Sequence, residues 1–473
     1  MTAAALGAAE SAGEEPVAPP RPSYRRSFAL GLAGNVGYAA AQYGLLVVLA
    51  RLGSPEMVGQ YSLALAFTAP VFMFANARLA VLLASDARRE RAFAEYLSAR
   101  VLAAAAGSAV VVAAGVASGY RGLVLTTLVL VTVAKVVESL SDLSYGYLAF
   151  REAFGRQTLS LLVRGFGAVA AAAVAARVTG SLAWVASSIA LVWFAALAVI
   201  DLPAVAALAA TDPAPARAPA RRVLGMIRSV RLDRRALGML RESAPLGFVA
   251  LAASLAVSLP RFVIERELGD RALGYFSALA YLVVAGRMVA IALGSAAVPR
   301  LGRYLAAGDG RAFARTLLGL VAFGASLGAV GVLGALVLGR PVLALLYGAD
   351  YAPYASLLVW LMGAAGLGYM SIYLQDALTT MRSLIPKAVL LAAVAVSAGL
   401  LARWLVPWLG LEGAAIAVCG AAGVELLGSA ALVVAAMRGA RHGTFKPAAG
   451  ELAADLTSGR PRAADAAPAV QGR

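Results

Sequence analysis

Residues 122–150 read GLVLTTLVLVTVAKVVESLSDLSYGYLAF, and this stretch decides the solvent in which the chain folds. Its first half is an unbroken apolar run. At about 1.5 Å per helical residue, the whole is long enough to cross the roughly 30 Å hydrocarbon core of a bilayer. Three charged residues, Lys135, Glu138 and Asp142, nevertheless sit at and beyond its middle. At 100° per residue they fall within about 60° of one another, so a helix carries them as one polar stripe with Ser139 and Tyr145 beside it. Lys135 lies about 14 residues, or roughly 21 Å of helix, from Arg121, which puts it near mid-membrane and out of easy reach of water.

Runs of the same kind recur along the chain, near 28–50, 59–84, 97–118, 122–149, 157–176 and 181–208, then 244–265, 273–299, 313–338, 353–381, 386–408 and 413–437. With 61% hydrophobic and 14% charged residues and a mean hydropathy of +0.80, one soluble core is excluded. Short strands of alternating polarity, the mark of a membrane β-barrel, are missing. In lipid the backbone must then satisfy itself within helices. The expected fold is an all-α polytopic membrane protein of about 12 transmembrane helices in two six-helix lobes around a central cavity. Residues 1–27 and 439–473 read as disordered tails, 28–208 as the first lobe, 209–242 as a basic linker and 243–438 as the second lobe.

Arginines set the expected orientation. The segments SDARRERAFAEY (85–96), REAFGR (151–156) and RLGRYLAAGDGRAFAR (300–315), the pair Arg382 and Lys387, and the linker with Arg217, Arg221, Arg222, Arg228, Arg231, Arg234, Arg235 and Arg241 alternate with base-poor connections. By the positive-inside rule the basic segments and both termini face the cytoplasm. The net charge of +16 is therefore topology and attraction to anionic lipid, and no nucleic-acid partner is expected. One cysteine, Cys419, and one histidine, His442, supply no material for a disulfide framework, a metal cluster or a Cys/His pair. No GxSxG elbow is present either. No catalytic residue, metal or cofactor is expected.

An internal repeat organises the rest. PEMVGQYSLALAF (55–67) matches DRALGYFSALAYL (270–282), pairing Gly59 with Gly274 and Ser62 with Ser277. REAFGR (151–156) matches RSLIPK (382–387), pairing Arg151 with Arg382 and Arg156 with Lys387. Six helices per half put both halves the same way up, the plan of transporters whose lobes rock about a path between them.

The stretches LGSPEMVGQYSLALAFTAPVFMFANARLAVLLASD (52–86), ESLSDLSYGYLAFREAFGRQTLSLLVRG (138–165) and PVLALLYGADYAPYASLLVWL (341–361) resemble polysaccharide flippases of the multidrug/oligosaccharidyl-lipid/polysaccharide exporter superfamily. The resemblance spans roughly residues 28–440. It implies movement of an undecaprenyl-linked oligosaccharide from the inner to the outer leaflet of the bacterial cytoplasmic membrane, for O-antigen or exopolysaccharide export, with no bond broken. The partners implied are the lipid-linked oligosaccharide pyrophosphate, membrane lipids, and pathway proteins such as a polysaccharide polymerase. A lipid-linked peptidoglycan precursor flippase and a cation-coupled drug antiporter of the same superfamily are the alternatives. A membrane glycosyltransferase or polymerase is a further one, although every expected loop on the base-poor side is short.

A pyrophosphate calls for arginine, whose planar fork donates twice to one anion. The resemblance places the first, second, seventh and eighth spans along the cavity, which singles out Arg78 with Asn76, Arg261 and Arg287 as substrate contacts. Arg164 ranks below them, because the resemblance sets the fifth span on the outside of its lobe. Each also has a plain structural reading. Arg78 can snorkel to the nearby loop, Arg261 has Glu265 one turn away, and Arg287 is the deepest.

For the stripe two readings stand. Lys135 and Glu138, three residues apart, can neutralise one another while Asp142 takes a basic partner from a neighbouring helix. Alternatively Glu138 and Asp142 couple transport to a proton or Na⁺ gradient. Unchanged gradient dependence in a Glu138→Gln, Asp142→Asn variant counts against coupling. Glu425, mid-span and without a local partner in sequence, is the other coupling candidate, and Asp376 reads as serving the end that carries Arg382. The tyrosines of YGADYAPY (347–354) and Trp360, Trp404 and Trp408 read as interface anchors.

Overall fold

The computed structural model describes residues 24–76, 79–85, 93–209, 219–228, 230–231 and 234–441. The first half comprises α1 (Tyr24–Leu52), α2 (Pro55–Asn76), α3 (Leu79–Ser85), α4 (Phe93–Ala117), α5 (Gly122–Phe150), α6 (Phe154–Thr179), α7 (Leu182–Ala196) and α8 (Leu202–Ala209). A π-helical turn, Leu197–Asp201, joins α7 to α8. A short α9 (Pro219–Arg228) precedes α10 (Arg234–Ala306), α11 (Gly310–Tyr347), α12 (Ala355–Thr380) and α13 (Leu384–Arg441). No strand occurs among the described residues.

Among the described residues ten apolar helical stretches are long enough to cross a bilayer. Two of them are broken by a glycine that leaves the helical region, Gly269 (φ 82°) in α10 and Gly410 (φ 59°) in α13. A positive φ is cheap only without a Cβ, so each of these two helices folds back and crosses twice, which gives twelve crossings in two lobes of six. Because lipid offers no hydrogen bonds, the turns between crossings are short and their free backbone groups find partners within the chain. Asp309, for example, accepts from the Ala312 amide at 2.9 Å to start α11.

The helices that enclose each lobe pair in the same way. In the first lobe α1 lies along α6, where a Cβ on Gly34 would come within 3.0 Å of the Thr158 backbone. In the second lobe α10 lies along α13, where Gly399 faces Leu259. Between lobes, α2 packs along α10, and the closest approach is at the end away from the basic segments. A Cβ on Gly59 would fall 1.9 Å from the Asp270 carbonyl oxygen, and one on Gly274 would fall 1.9 Å from that of Pro55. Both glycines are therefore required by backbone contact, as in close helix crossings generally. The repeat pairing of Gly59 with Gly274 has become a physical contact: each glycine meets the residue equivalent to the start of the other's helix. Around it Gln60 donates to Asp270 at 2.9 Å, Arg271 pairs with Glu56 at 3.6 Å, and Arg51 donates to the carbonyls of Ala344, Leu345 and Leu346, capping α11 from the other lobe.

The second repeat needs a one-residue correction. The positive-φ residues that end α5 and α12 are Glu152 and Arg382, both at φ 55°. The Glu152 amide donates to Ala149 as the Arg382 amide donates to Thr379, and Ala153 donates to Leu148 as Ser383 does to Leu378. Arg382 is thus equivalent to Glu152, not Arg151. The alignment by basic residues followed charge, whereas the turn follows backbone geometry.

The tyrosines of 347–354 also depart from expectation. Tyr347 and Tyr351 are buried in an aromatic cluster with Tyr43, Tyr275 and Tyr354, and the Tyr347 hydroxyl donates to the Ala278 carbonyl at 2.8 Å. They pack helices at the lobe boundary. Trp360, Trp404 and Trp408 are exposed on the outer surface, where an interfacial indole belongs.

Candidate functional site

In the first lobe α1, α2, α4 and α5 bring their polar residues together. Lys135 Nζ donates to Glu138 Oε2 at 2.6 Å. Tyr38 on α1 donates to Glu138 Oε1 at 3.2 Å, and Gln42 Nε2 donates to the Tyr38 hydroxyl at 2.8 Å. The side chains of Lys135 and Glu138 stay 22% and 29% exposed, so the pair is reachable although it is satisfied. One turn on, Asp142 accepts from Arg100 Nη2 at 3.2 Å. Arg100 comes from α4 with its side chain wholly buried, while the Asp142 side chain is 48% exposed. Arg100 also donates to Asn76 Oδ1 and to Ser139 Oγ, and Ser139 donates to Asn76 Oδ1 at 2.6 Å. The carbonyl of Asn76 is therefore taken, and only its amide could meet a ligand. Arg78 lies outside the described residues.

Arg164 is buried between α6, α1, α5 and α7, contrary to an outer position. Its guanidinium stands 4.8 Å from the Trp193 ring, 5.7 Å from Tyr38 and 5.9 Å from Tyr145, an arrangement in which three ring faces stabilise one cation. It donates to the Tyr145 hydroxyl at 3.0 Å, which pairs with Ser160 at 2.9 Å. Asp201, which closes the π-helical turn, is wholly buried beside Ser141, Ser160 and Arg164 without a well-aligned hydrogen bond to any of them. Such turns recur where a helix re-aims one side chain.

The second lobe is arranged more loosely. Arg261 on the first half of α10 has a buried Nε without a hydrogen-bond partner. Its electrostatic neighbour is Tyr281, which in turn neighbours Tyr61, and Tyr61 neighbours Glu138. Arg261 and the α5 stripe therefore share one neighbourhood across the lobe boundary. Glu265 is not the partner of Arg261, because it accepts from the Tyr120 hydroxyl of the other lobe at 2.6 Å. Arg287 is exposed, with Tyr369 and Glu425 within electrostatic reach, and forms no ion pair among the described residues. Glu425 does have a partner, since Gln375 of α12 donates to it. Asp376 turns toward Gly294 and Lys387 rather than Arg382, and Lys387 donates to Thr379 Oγ1 at 3.0 Å.

Sequence reasoning passed over Arg100 and Asp201. Arg100 is close enough to the basic segment 85–96 to look interfacial, although Asp142 demanded a cation from somewhere. Asp201 sits near the end of its span and is turned inward only by the π-helical register. Chemically, the described site can donate hydrogen bonds and charge to an anion from the second lobe, and it presents a neutralised polar wall from the first. No group of three or more His, Cys, Asp or Glu residues is placed to hold a metal among the described residues.

No family model matches the chain. A capsular polysaccharide biosynthesis protein, CapF from Staphylococcus aureus, is 25% identical over 332 residues, which cover 69% of this chain and 78% of that protein. Similar solved structures include a multidrug resistance MATE family transporter of the MOP superfamily in an inward-facing conformation, with TM-score 0.65 and 14% identity over 85% of this chain and 96% of that one. An outward-facing conformation of such a transporter gives TM-score 0.59 at 13% identity, over 87% and 95%. A MOP superfamily transporter from Pyrococcus furiosus gives 0.54 at 14%, over 87% and 95%. Two six-helix lobes, an apolar exterior and these likenesses agree: the chain has the fold of the MATE transporters of the MOP superfamily.

Proposed function

We propose that this protein flips a lipid-linked oligosaccharide pyrophosphate from the inner to the outer leaflet of a bacterial cytoplasmic membrane, by rocking of its two lobes and without breaking a bond. The observation that carries the reading is Arg287: an exposed arginine within a membrane crossing, without an ion pair among the described residues, on the lobe that also holds the incompletely bonded Arg261. An unpaired intramembrane arginine is costly, by about 2.5–3.5 kcal/mol on insertion scales, and a pyrophosphate entering the cavity offsets that cost with charge-assisted bonds. The similarity to a capsular polysaccharide biosynthesis protein supports the sugar half of the substrate. In this orientation both termini and the arginine-rich segments are cytoplasmic, and the Gly59 and Gly274 contact seals the outer side. A peptidoglycan precursor shares the pyrophosphate and is the nearest rival. A drug antiporter would want free acid in the cavity, whereas Glu138 and Asp142 already hold Lys135 and Arg100; Glu425, held by the neutral amide of Gln375, is the acid that favours this rival.

The test is translocation of a labelled undecaprenyl-pyrophosphate oligosaccharide in proteoliposomes. Wild type is expected to flip it, and Arg287→Ala, inserted to the same level, to flip it about 10- to 100-fold more slowly, the worth of a hydrogen bond to a charged group. Equal rates would assign Arg287 to packing. Failure of wild type with this lipid, but success with a lipid-linked peptidoglycan precursor, would replace the substrate.

A further inference from the structure

The linker between the lobes holds α9, Pro219–Arg228, with the sequence PARRVLGMIR. At 3.6 residues per turn, positions 220, 223, 224, 226 and 227 occupy a sector of about 160°, and positions 221, 222 and 228 one of about 120° opposite. The first sector is wholly apolar, and the second holds the three arginines with Gly225 among them. The helix packs on α8, the last turns of a membrane crossing, so it sits at the level where that crossing leaves the bilayer. Among the described residues nothing covers Leu224 and Ile227, which lie on its apolar side and are 45% and 49% exposed. The same crossing exposes Leu191, Phe194 and Val199, as a crossing that meets lipid does. Between 202 and 241 the chain carries eight arginines and only Asp212 and Asp233 as acids.

From this juxtaposition we infer that α9 is a membrane-surface anchor: it lies in the interface beside α8, with Leu224 and Ile227 in the acyl region and its arginines on anionic phospholipid headgroups. An amphipathic helix with this division of faces binds through buried apolar area plus attraction to anionic lipid. A ten-residue helix has little apolar area, so the charge decides whether it stays down. Each arginine near an anionic surface is worth about a fivefold change in partition. The inference concerns the linker alone and does not depend on what the cavity carries.

The experiment uses the full chain with Cys419→Ser and Ile227→Cys, labelled with an environment-sensitive dye, in vesicles of phosphatidylcholine alone or mixed with phosphatidylglycerol. A parallel label at Leu224→Cys guards against a local defect, and the thermal midpoint of each variant shows that it is folded. In the anionic vesicles the emission is expected to shift to the blue and to be quenched by lipids brominated in the acyl chain. Adding Arg221→Gln, Arg222→Gln and Arg228→Gln should weaken that partition about a hundredfold, and high salt should mimic the change. Emission as in water in both vesicles would overturn the inference. Equal burial with and without phosphatidylglycerol would overturn the role of the anionic lipid. A blue shift that acyl bromine fails to quench would mean that protein, either the chain's own tail or a second copy, covers the face instead.

Discussion

The two lobes share a scaffold but not a polar interior. Gly59 and Gly274 meet across a crossing that treats them alike, and Glu152 and Arg382 turn at one φ. Yet the first lobe pairs the charges of its α5 stripe, Arg100 with Asp142, Asn76 and Ser139, and Lys135 with Glu138, Tyr38 and Gln42, although the Nε of Arg100 and of Arg164 and the carboxylate of Asp201 have no hydrogen-bond partner among the described residues. The second leaves Arg287 exposed and the Nε of Arg261 without a partner. Backbone geometry constrained both halves equally, since lipid penalises any lost turn or clash. Side-chain chemistry was free to diverge, and the charges of the α5 stripe in the first lobe are paired while Arg287 in the second stands exposed.

The sharpest way to break this contrast is to unpair a held charge. Asp142→Ala leaves Arg100 buried without its carboxylate and is expected to cost about 3 kcal/mol of stability. Arg100→Met added to it should recover most of the loss, as measured by denaturant unfolding in nanodiscs. If the single variant is as stable as wild type, Asp142 does not hold Arg100 as described. Next in size, Gly59→Ala and Gly274→Ala should each cost about 1–3 kcal/mol through backbone overpacking, and by closely similar amounts. A large inequality between their unfolding midpoints would show that the crossing is not shared evenly by the halves. Removing one hydroxyl, as in Tyr38→Phe, should cost about 1 kcal/mol, since it deprives Glu138 of a donor and Gln42 of an acceptor. The smallest effect is expected at Arg287→Ala, within about 0.5 kcal/mol of wild type in stability. A severe loss there would make Arg287 a packing residue and erase the difference between the lobes.

The twelve crossings were legible because hydropathy over a span sums many residues and survives any one exception. Lys135 and Glu138 were legible for a local reason, since three residues along a helix fix which side chains meet. The glycine crossing was visible as a repeated letter, although nothing in sequence said that the two copies touch. What stayed hidden depends on which helices are neighbours. Arg100 reaches Asp142 from 42 positions away, Gln375 reaches Glu425 from 50, and Tyr120 takes Glu265 from Arg261 across 145. Arg164 was misplaced because a helix on the periphery of a lobe still has one inner face. Tyr347 and Tyr351 were misread because an aromatic near a helix end suits an interface and a core equally well until its neighbours are known.

At the crossing of α2 and α10 each glycine meets the other's helix start, and Glu56 faces Arg271, its own counterpart in the repeat. This is the form of an isologous interface, in which residue i contacts j and j contacts i, as found between identical subunits related by a twofold axis. The protein thus carries a homodimer's contact within one polypeptide. Fusion through the linker lets the two sides of that contact stay fixed while everything beneath it, the paired charges of one lobe and the open arginines of the other, becomes as unlike as two different proteins.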